Sequence, residues 1–153
     1  MAEYSANAVQ TVNPGETIVF TNAPVPCEKG YVRWREGSGV FLLSGANARR
    51  SCRCNPASAT YLARFGCNVA VPTGETVGAI TVAIALDGNT IADTTMEVTP
   101  AAVEEFWNIG RVTNVPVWAN CCQSMSIRNT SDIPILVSNA NVVFSRPDLN
   151  MTY

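Results

Sequence analysis

The side chains with the most reactive chemistry in this sequence are six cysteines, at positions 27, 52, 54, 67, 121 and 122. Cys52 and Cys54 are two residues apart, so on an extended segment their side chains share one face. Their Cα atoms would then be about 7 Å apart, at the limit for a disulfide. Cys121 and Cys122 are adjacent, so on a strand they point to opposite faces. Each of these cysteines is therefore placed to reach a different partner, in the same chain or in another subunit.

Three kinds of cysteine chemistry fit this arrangement. Disulfides or cross-links between subunits would form if the protein matures outside a reducing cytosol. Cys67, in the middle of an apolar run, is the best candidate for a buried free thiol. A zinc site would need four thiolates, but the usual C-x2-C spacing is absent. The sequence therefore favours disulfides over a metal site, and the cross-link candidates are Cys27, Cys52, Cys54, Cys121 and Cys122.

Residues for catalysis are scarce. The chain has no histidine, and Lys29 is its only lysine beside nine arginines. These absences exclude Ser-His-Asp and Cys-His catalysis and argue against Schiff-base chemistry. Glu104 and Glu105 are adjacent carboxylates, which do not converge on one substrate as the paired acids of a hydrolase must. We therefore expect a non-enzymatic protein that needs no cofactor.

Charge is distributed unevenly along the chain. Residues 27–67 hold seven basic and two acidic residues, a net +5, and the remainder holds three basic and ten acidic residues, a net −7. The basic section could bind an anionic glycan or a cell-surface polymer, or it could meet the acidic remainder of its own or a neighbouring subunit. The overall charge of −2 argues against nucleic acid as a partner. The candidate ligand patch comprises Arg49, Arg50, Arg53 and Trp118.

The elements that must position these residues are strands. Short apolar runs alternate with Gly, Pro, Asn and Asp, a pattern typical of an all-β protein. Only residues 100–105 suggest a helix, a single turn with Thr99 as its cap. The sequence therefore predicts an all-β jelly-roll sandwich of about 8–10 antiparallel strands. The predicted strands cover residues 12–22, 31–35, 39–44, 60–71, 79–86, 90–98, 106–119, 123–129 and 133–145.

Two of these strands are apolar on both faces. In residues 79–86, large side chains alternate with small apolar ones, and residues 133–144 also carry apolar side chains on both sides. A strand that faces water alternates with polar residues, and this chain has almost no helix to cover a second apolar face. Subunit packing is the better explanation, because the cores of interfaces are poor in charge and only 14% of these residues are charged. The candidate interface residues are Ala79, Thr81, Ala83, Ala85, Leu136, Val142 and Phe144.

The N-terminus has no basic start and no long apolar run, so it does not resemble a secretory signal. No stretch reaches the length of a membrane span. We therefore expect synthesis in the cytoplasm without a signal peptide, no membrane span, and a final site on a spore surface, in another extracellular assembly or in a virion. The 153 residues form one predicted domain, with an N-terminal arm at 1–8 and a C-terminal tail at 147–153.

The order of segments is similar to a known family. Residues 61–70 lead through Pro72-Thr73-Gly74 into the small-residue strand and the Asp87-Gly88 turn, and Asn129-Thr130-Ser131 precedes an apolar last strand. This layout resembles the tumour-necrosis-factor-like, or complement-head-like, jelly roll that caps bacterial collagen-like proteins, including exosporium glycoproteins of spore-forming bacteria. The resemblance implies ten strands and a tight homotrimer with an apolar axis. It supplies no catalytic residues, and this sequence departs from it in its cysteines and in lacking a collagen-like region.

Composition, strand pattern and resemblance together predict a self-associating, non-enzymatic structural subunit. Its setting would be a bacterial spore surface, an appendage or another extracellular assembly, reinforced by disulfides. A carbohydrate- or receptor-binding head is the first alternative, with the arginine patch and the tryptophans as its contacts. A phage virion or tail-fibre component is the second, and the residues do not separate it from a spore protein.

Overall fold

The computed structural model describes residues 1–46, 58–119 and 122–147. Its strands form two sheets, which we call sheet A and sheet B. Sheet A consists of β1 (Ala2–Ala6), β2 (Gln10–Val12), β3 (Asn22–Val25), β6 (Ser58–Ala70), β10 (Trp107–Trp118) and β12 (Ile135–Ser145). Sheet B consists of β4 (Val32–Trp34), β5 (Val40–Ser44), β7 (Ile80–Leu86), β8 (Asn89–Thr90), β9 (Met96–Val98) and β11 (Cys122–Asn129).

Every pairing between these strands is antiparallel. Sheet A has the order β10-β6-β12-β1-β3, with β2 paired to β12, and sheet B has the order β4-β5-β11-β7-β8, with β9 paired to β7. Neighbours in each sheet are mostly distant in the chain, so the chain crosses repeatedly between the sheets, as in a jelly roll. The predicted all-β jelly-roll sandwich is therefore confirmed. Within the described ranges, no helix is long and apolar enough to cross a membrane.

The core lies between the two sheets. Alternate residues of β6, among them Tyr61 and Phe65, are buried against it. An aromatic cluster joins the sheets, because the ring of Phe41 on β5 lies 4.9 Å from that of Tyr4 on β1 and 5.1 Å from that of Phe144 on β12. Burial of each large apolar side chain contributes roughly 1.5–3 kcal/mol. The contacts across the sandwich therefore hold the two sheets together.

Two pairs of consecutive predicted strands, 31–35 with 39–44 and 79–86 with 90–98, form hairpins. β4 and β5 pair with Trp34 opposite Phe41, and β7 and β8 pair with Ala85 opposite Thr90. The second hairpin is interrupted after β8 by the 3-10 turn Ala92–Thr94, and β9 then resumes the pairing with β7. A short helical turn thus replaces the middle of the predicted strand 90–98.

The predicted single strand over residues 12–22 is wrong. β2 ends at Val12, and the chain turns at Gly15, which has a φ of 80°. It then passes to sheet B, where the Gly15 N–H donates to the Asn129 carbonyl at 2.8 Å and the Ile18 N–H to the Ile127 carbonyl at 2.9 Å. It returns to sheet A as β3. The segment is therefore a bridge between the sheets, because the turn at Pro14-Gly15 ends the pairing with β12.

The helical turn predicted at residues 100–105 is also wrong. This segment is a bend in which Glu104 has a φ of 59°, outside the helical region. The Glu104 N–H donates to the Val71 carbonyl at 2.8 Å, and its carboxylate accepts a 3.0 Å hydrogen bond from the Thr73 hydroxyl. Glu104 therefore fastens the bend to the end of β6 and is not placed at a helix N-terminus.

The N-terminal residues are part of the sandwich and not an arm. Strand β1 pairs with the second half of β12, from Ala2 opposite Phe144 to Ala6 opposite Ala140. Ala2, Tyr4 and Ala6 occupy alternate positions of β1 and are buried, so one face of this strand belongs to the core. Of the predicted tail at 147–153, only residue 147 is among the described residues.

A β-bulge divides β12 and corrects the interpretation that this strand is apolar on both faces. The register against β6 shifts between Ser138 and Asn141, and Asn139 has a φ of 50°. Such a bulge adds one residue, which exchanges the inner and outer faces of the strand. Ile135 before the bulge and Phe144 after it consequently both point into the core. Val142 and Phe144 are therefore core residues and not the subunit interface we expected.

Candidate functional site

The outer face of sheet A is the most unusual surface of the molecule. It consists of the residues that alternate with the core positions of β10, β6, β12 and β1. On β10 and β6 they include Asn108, Gly110, Val112, Asn114, Leu62, Arg64, Gly66 and Asn68. On β12 and β1 they are Leu136, Ser138, Asn141, Val143, Ser145, Glu3 and Ser5. Among these residues, only Arg64 and Glu3 are ionisable.

The centre of this face is flat. Gly66 on β6 lies directly opposite Gly110 on β10 and, on its other side, opposite Asn141 on β12. The Asn141 amide donates to the Glu3 carboxylate at 2.6 Å, so one of the two charged groups is already bound within the face. Arg64 lies between Val112 and Val143, two apolar side chains.

This composition is typical of a covered surface. The water-facing side of an antiparallel sheet is usually polar, and interface cores are depleted of charge. Of the predicted interface residues, Leu136 lies on this face, because the pattern of a single strand does not show which strands will be its neighbours. The low polarity of this face was nevertheless visible in the sequences of β6 and β10. Their outward positions include Leu62, Gly66 and Val112, where an exposed strand usually has polar or charged residues.

The other interface candidates lie on sheet B, on the opposite side of the sandwich. Ala79 is exposed, and Thr81 is half-buried with its hydroxyl 2.9 Å from that of Thr130. Ala83 and Ala85 are 1% and 0% exposed within the single chain. The predicted set therefore does not form one continuous surface.

Arg128 lies beside this small-residue face of β7. It lies on β11 opposite Ala83, and its Nη2 atom is 3.9 Å from where a Cβ on Gly88 would stand, at the turn after β7. The side chain therefore runs along β7 and covers its small residues with its aliphatic stem. Its Nε atom is buried and has no hydrogen-bond partner among the described residues. We expected a second subunit to bury Ala83 and Ala85, but both are already buried within the single chain.

Trp118 lines a small cavity at one end of the sandwich. The indole is 58% exposed, and the cavity of about 270 Å³ also has the side chains of Asp87, Pro116 and Gln123 in its wall. One oxygen of Asp87 accepts hydrogen bonds from the Ser124 N–H at 3.0 Å and the Ser124 hydroxyl at 3.2 Å. An aromatic platform beside a fixed carboxylate and an amide can bind a polar ring. The other members of the predicted patch, Arg49, Arg50 and Arg53, lie outside the described residues.

The cysteines are spread over the molecule. Cys27 is half-buried and Cys67 fully buried, and both have free thiols, whereas Cys122 is exposed at the start of β11. Cys52, Cys54 and Cys121 lie outside the described residues, so the disulfides remain a prediction. Among the described residues, no group of three or more His, Cys, Asp or Glu side chains is arranged to hold a metal ion.

Cys67 should be inert in the folded protein. Burial raises the pKa of its thiol to about 12, so at pH 8 the reactive thiolate is a fraction on the order of 10⁻⁴. In reduced native protein at pH 8 we expect iodoacetamide to alkylate Cys27 and to leave Cys67 unmodified, as measured by peptide mass spectrometry. Both should react in guanidinium. Native labelling of Cys67 at the rate of Cys27 would contradict its burial.

Solved structures provide a comparison for the whole fold. The globular domain of a zebrafish complement 1qA protein superimposes with a TM-score of 0.52 and 7% sequence identity, covering 95% of this chain and 97% of that domain. The fold is a C1q/TNF-like jelly roll. This confirms the predicted resemblance at the level of architecture.

Weaker likenesses to this C1q-like jelly roll occur among sugar-binding domains. The C-terminal domain of EclA, a sugar-binding protein, has a TM-score of 0.35 and 10% identity over 76% of this chain and 86% of that domain. A family 35 carbohydrate-binding module from Clostridium thermocellum has a TM-score of 0.35 and 15% identity, with coverages of 92% and 90%. Likenesses of this size carry no argument about a ligand. No family model and no curated protein matches the sequence.

Proposed function

We propose that this protein is a non-enzymatic, self-associating subunit that forms a homotrimer through the outer face of sheet A. The proposal rests on the composition of that face. Its residues come from strands that span most of sheet A, yet only two of those named above have ionisable side chains. A surface of this kind is stabilised when copies of the chain cover it, because burial removes apolar area from water and desolvates few charged groups.

Three copies are the arrangement that the C1q/TNF-like resemblance supports. The flat centre at Gly66 and Gly110 supports it as well, because a surface without protruding side chains allows backbones of neighbouring subunits to approach closely. Arg64 and the Glu3–Asn141 pair then provide polar contacts that fix the orientation of the copies.

The assembly would belong to a spore surface, an appendage or a comparable extracellular structure. Support comes from the family resemblance and from the low proportion of charged residues. Cysteines on loops and at strand starts, Cys122 among them, would link subunits after exposure to oxidising conditions.

Light scattering coupled to size-exclusion chromatography tests the trimer. The expected mass is three times the 16.4 kDa of one chain. It should persist at high salt, because apolar contacts are not screened by ions as charge pairs are. A mass of one chain at micromolar concentration would refute the proposal. If the oxidised protein migrates identically with and without reductant, the proposed covalent links are refuted, but the trimer is not.

A second candidate function is carbohydrate binding at the Trp118 cavity, favoured by the exposed indole beside Asp87 and Gln123. Removal of the indole by Trp118→Ala should abolish any signal on a glycan array, because stacking supplies most of the contact area. Trp107→Ala is the matched control. It removes an indole of 46% exposure that is bonded to Glu105 and does not line this cavity. Absence of array signals for the unmodified protein would reject this second function.

A further inference from the structure

One row of residues crosses sheet A from β10 to β3 and contains the two ionisable side chains named above for its outer face. In order through β10, β6, β12, β1 and β3, the row consists of Val112, Arg64, Val143, Glu3 and Val25. A cation and an anion therefore lie on the same face, each between two valines. Because neighbouring strands are about 5 Å apart, the Cα atoms of Arg64 and Glu3 are about 10 Å apart.

The Glu3 carboxylate is half-buried and held in one position. The Asn141 amide donates to its Oε1 atom at 2.6 Å. Asn141 belongs to the neighbouring row, where it lies opposite Gly66, so the carboxylate is drawn toward the flat centre of the face. An amide is neutral, and this hydrogen bond does not cancel the negative charge of Glu3. A carboxylate accepts several hydrogen bonds through its two oxygens, so Glu3 can still accept from a cationic donor.

Arg64 is exposed on the same face, and its neighbours in the row are apolar. Within the described ranges, the structure gives its guanidinium no hydrogen bond and no ion pair. In a single chain, water solvates this group. Contact with another copy removes that water, and a buried guanidinium without an acceptor is strongly destabilising. A neighbouring copy that covers this face must therefore supply an acceptor for Arg64.

We infer that Arg64 of one copy forms an ion pair with Glu3 of the next copy, a pairing that rests on the proposed self-association through this face. Among the outward residues named above for sheet A, Glu3 is the one carboxylate. It is fixed beside the flat centre, where the backbones of neighbouring copies can approach most closely. A guanidinium and a carboxylate form charge-assisted hydrogen bonds that fix both distance and orientation.

Cyclic symmetry uses both charges of every copy. In a closed ring of identical subunits, each subunit contacts its two neighbours through two different parts of its surface. Each copy then gives Arg64 to one neighbour and Glu3 to the other. A trimer consequently has three such pairs and leaves none of these six charges unpaired. The pair also selects one orientation of the copies, because a slipped arrangement would place a valine against a charge.

Charge reversal tests the pair. Arg64→Glu and Glu3→Arg each bring like charges together at every contact, and each should weaken association at least about 30-fold. The mass from light scattering should fall to one chain at a concentration where the unmodified protein is trimeric. The double variant Arg64→Glu/Glu3→Arg restores opposite charges at every contact and should recover the trimer. Arg33→Glu and Glu97→Arg, both at exposed positions of sheet B, are the matched controls and should remain trimeric.

A mixture of the two single variants tests the ring. A contact between Arg64→Glu and Glu3→Arg is complementary, but a ring of three copies always retains one contact between identical variants, which repel each other. The mixture should therefore form far less trimer than the double variant does. Assembly of the mixture as complete as that of the double variant would overturn the ring, because only an even number of copies can satisfy every contact.

Failure of the pair differs from failure of the assembly. If the unmodified protein is a trimer and Arg64→Glu remains one, or if the folded double variant stays monomeric, the pair is refuted and the trimer stands. A monomeric unmodified protein would refute both. Circular dichroism monitors folding. If Glu3→Arg does not fold, Arg64→Gln and Glu3→Gln replace the reversals, since glutamine can still accept from Asn141. Their losses of association should be less than additive in the double variant, and additive losses would refute the pair.

Discussion

Deletion of Asn139 is expected to prevent folding. The bulge at this residue allows Ile135 and Val137 before it, and Val142 and Phe144 after it, to face the same core. Without the extra residue, one half of β12 must turn its apolar side chains to the solvent. Ile135 and Val137 are both fully buried, and each loss would cost about 2–5 kcal/mol. Their sum is comparable to the whole stability of a typical domain, about 5–15 kcal/mol.

Substitutions at the same position provide the controls. Asn139 is exposed and has a φ of 50°. Asn139→Gly should change stability by less than about 1 kcal/mol, because glycine adopts this conformation without strain. Asn139→Val should lower stability by roughly 1–2 kcal/mol. Urea unfolding followed by circular dichroism measures all three variants. A deletion variant that unfolds cooperatively near the urea midpoint of the unmodified protein would show that the bulge does not set the register.

The bulge also explains where sequence reasoning fails. Alternation identified β6, β7 and β10 correctly, because each follows a period of two without interruption. In β12 the period breaks at Asn139, and a strand whose inner face changes sides has the same sequence pattern as a strand with two apolar faces. The pattern of one strand does not distinguish these cases. They are distinguished by the pairing of β12 with β6, which forms only when the chain folds.

The second failure concerns what covers a face. The alternation in β7 correctly gave a small-residue face, but Arg128 comes from another strand, and its reach along β7 is a property of the folded sheet. A cavity of about 400 Å³ at one end of the sandwich was missed for a related reason. Four of its lining residues, Cys27, Tyr31, Tyr61 and Arg146, are scattered over more than a hundred positions of the chain, and no local spacing connects them. The outer face of sheet A could have been recognised from the scarcity of charge at the alternate positions of β6 and β10, where Arg64 is the one charged residue.

The largest expected effect on assembly comes from Gly66→Lys. Gly66 lies at the flat centre of the outer face of sheet A, its φ is ordinary, and an added Cβ would meet only the Ile109 carbonyl oxygen, at 3.7 Å. The single chain therefore accommodates the side chain. In a trimer, three copies would each bury an unpaired ammonium next to Arg64, at a cost of about several kcal/mol per charge. We expect the mass from light scattering to fall from three chains to one, with unchanged circular dichroism.

Two control variants distinguish this face from the rest of the surface. Gly78→Lys is matched to Gly66→Lys, since Gly78 is also half-buried, has an ordinary φ and has no neighbour closer to an added Cβ than the Thr76 carbonyl at 4.0 Å. It precedes β7 and should remain trimeric. Val40→Lys places the same charge on the outer face of sheet B, where Val40 is 45% exposed. If Val40→Lys dissociates the assembly and Gly66→Lys does not, the copies meet through sheet B. In that case Arg128, which lies on β11 opposite Ala83, would be close to the interface.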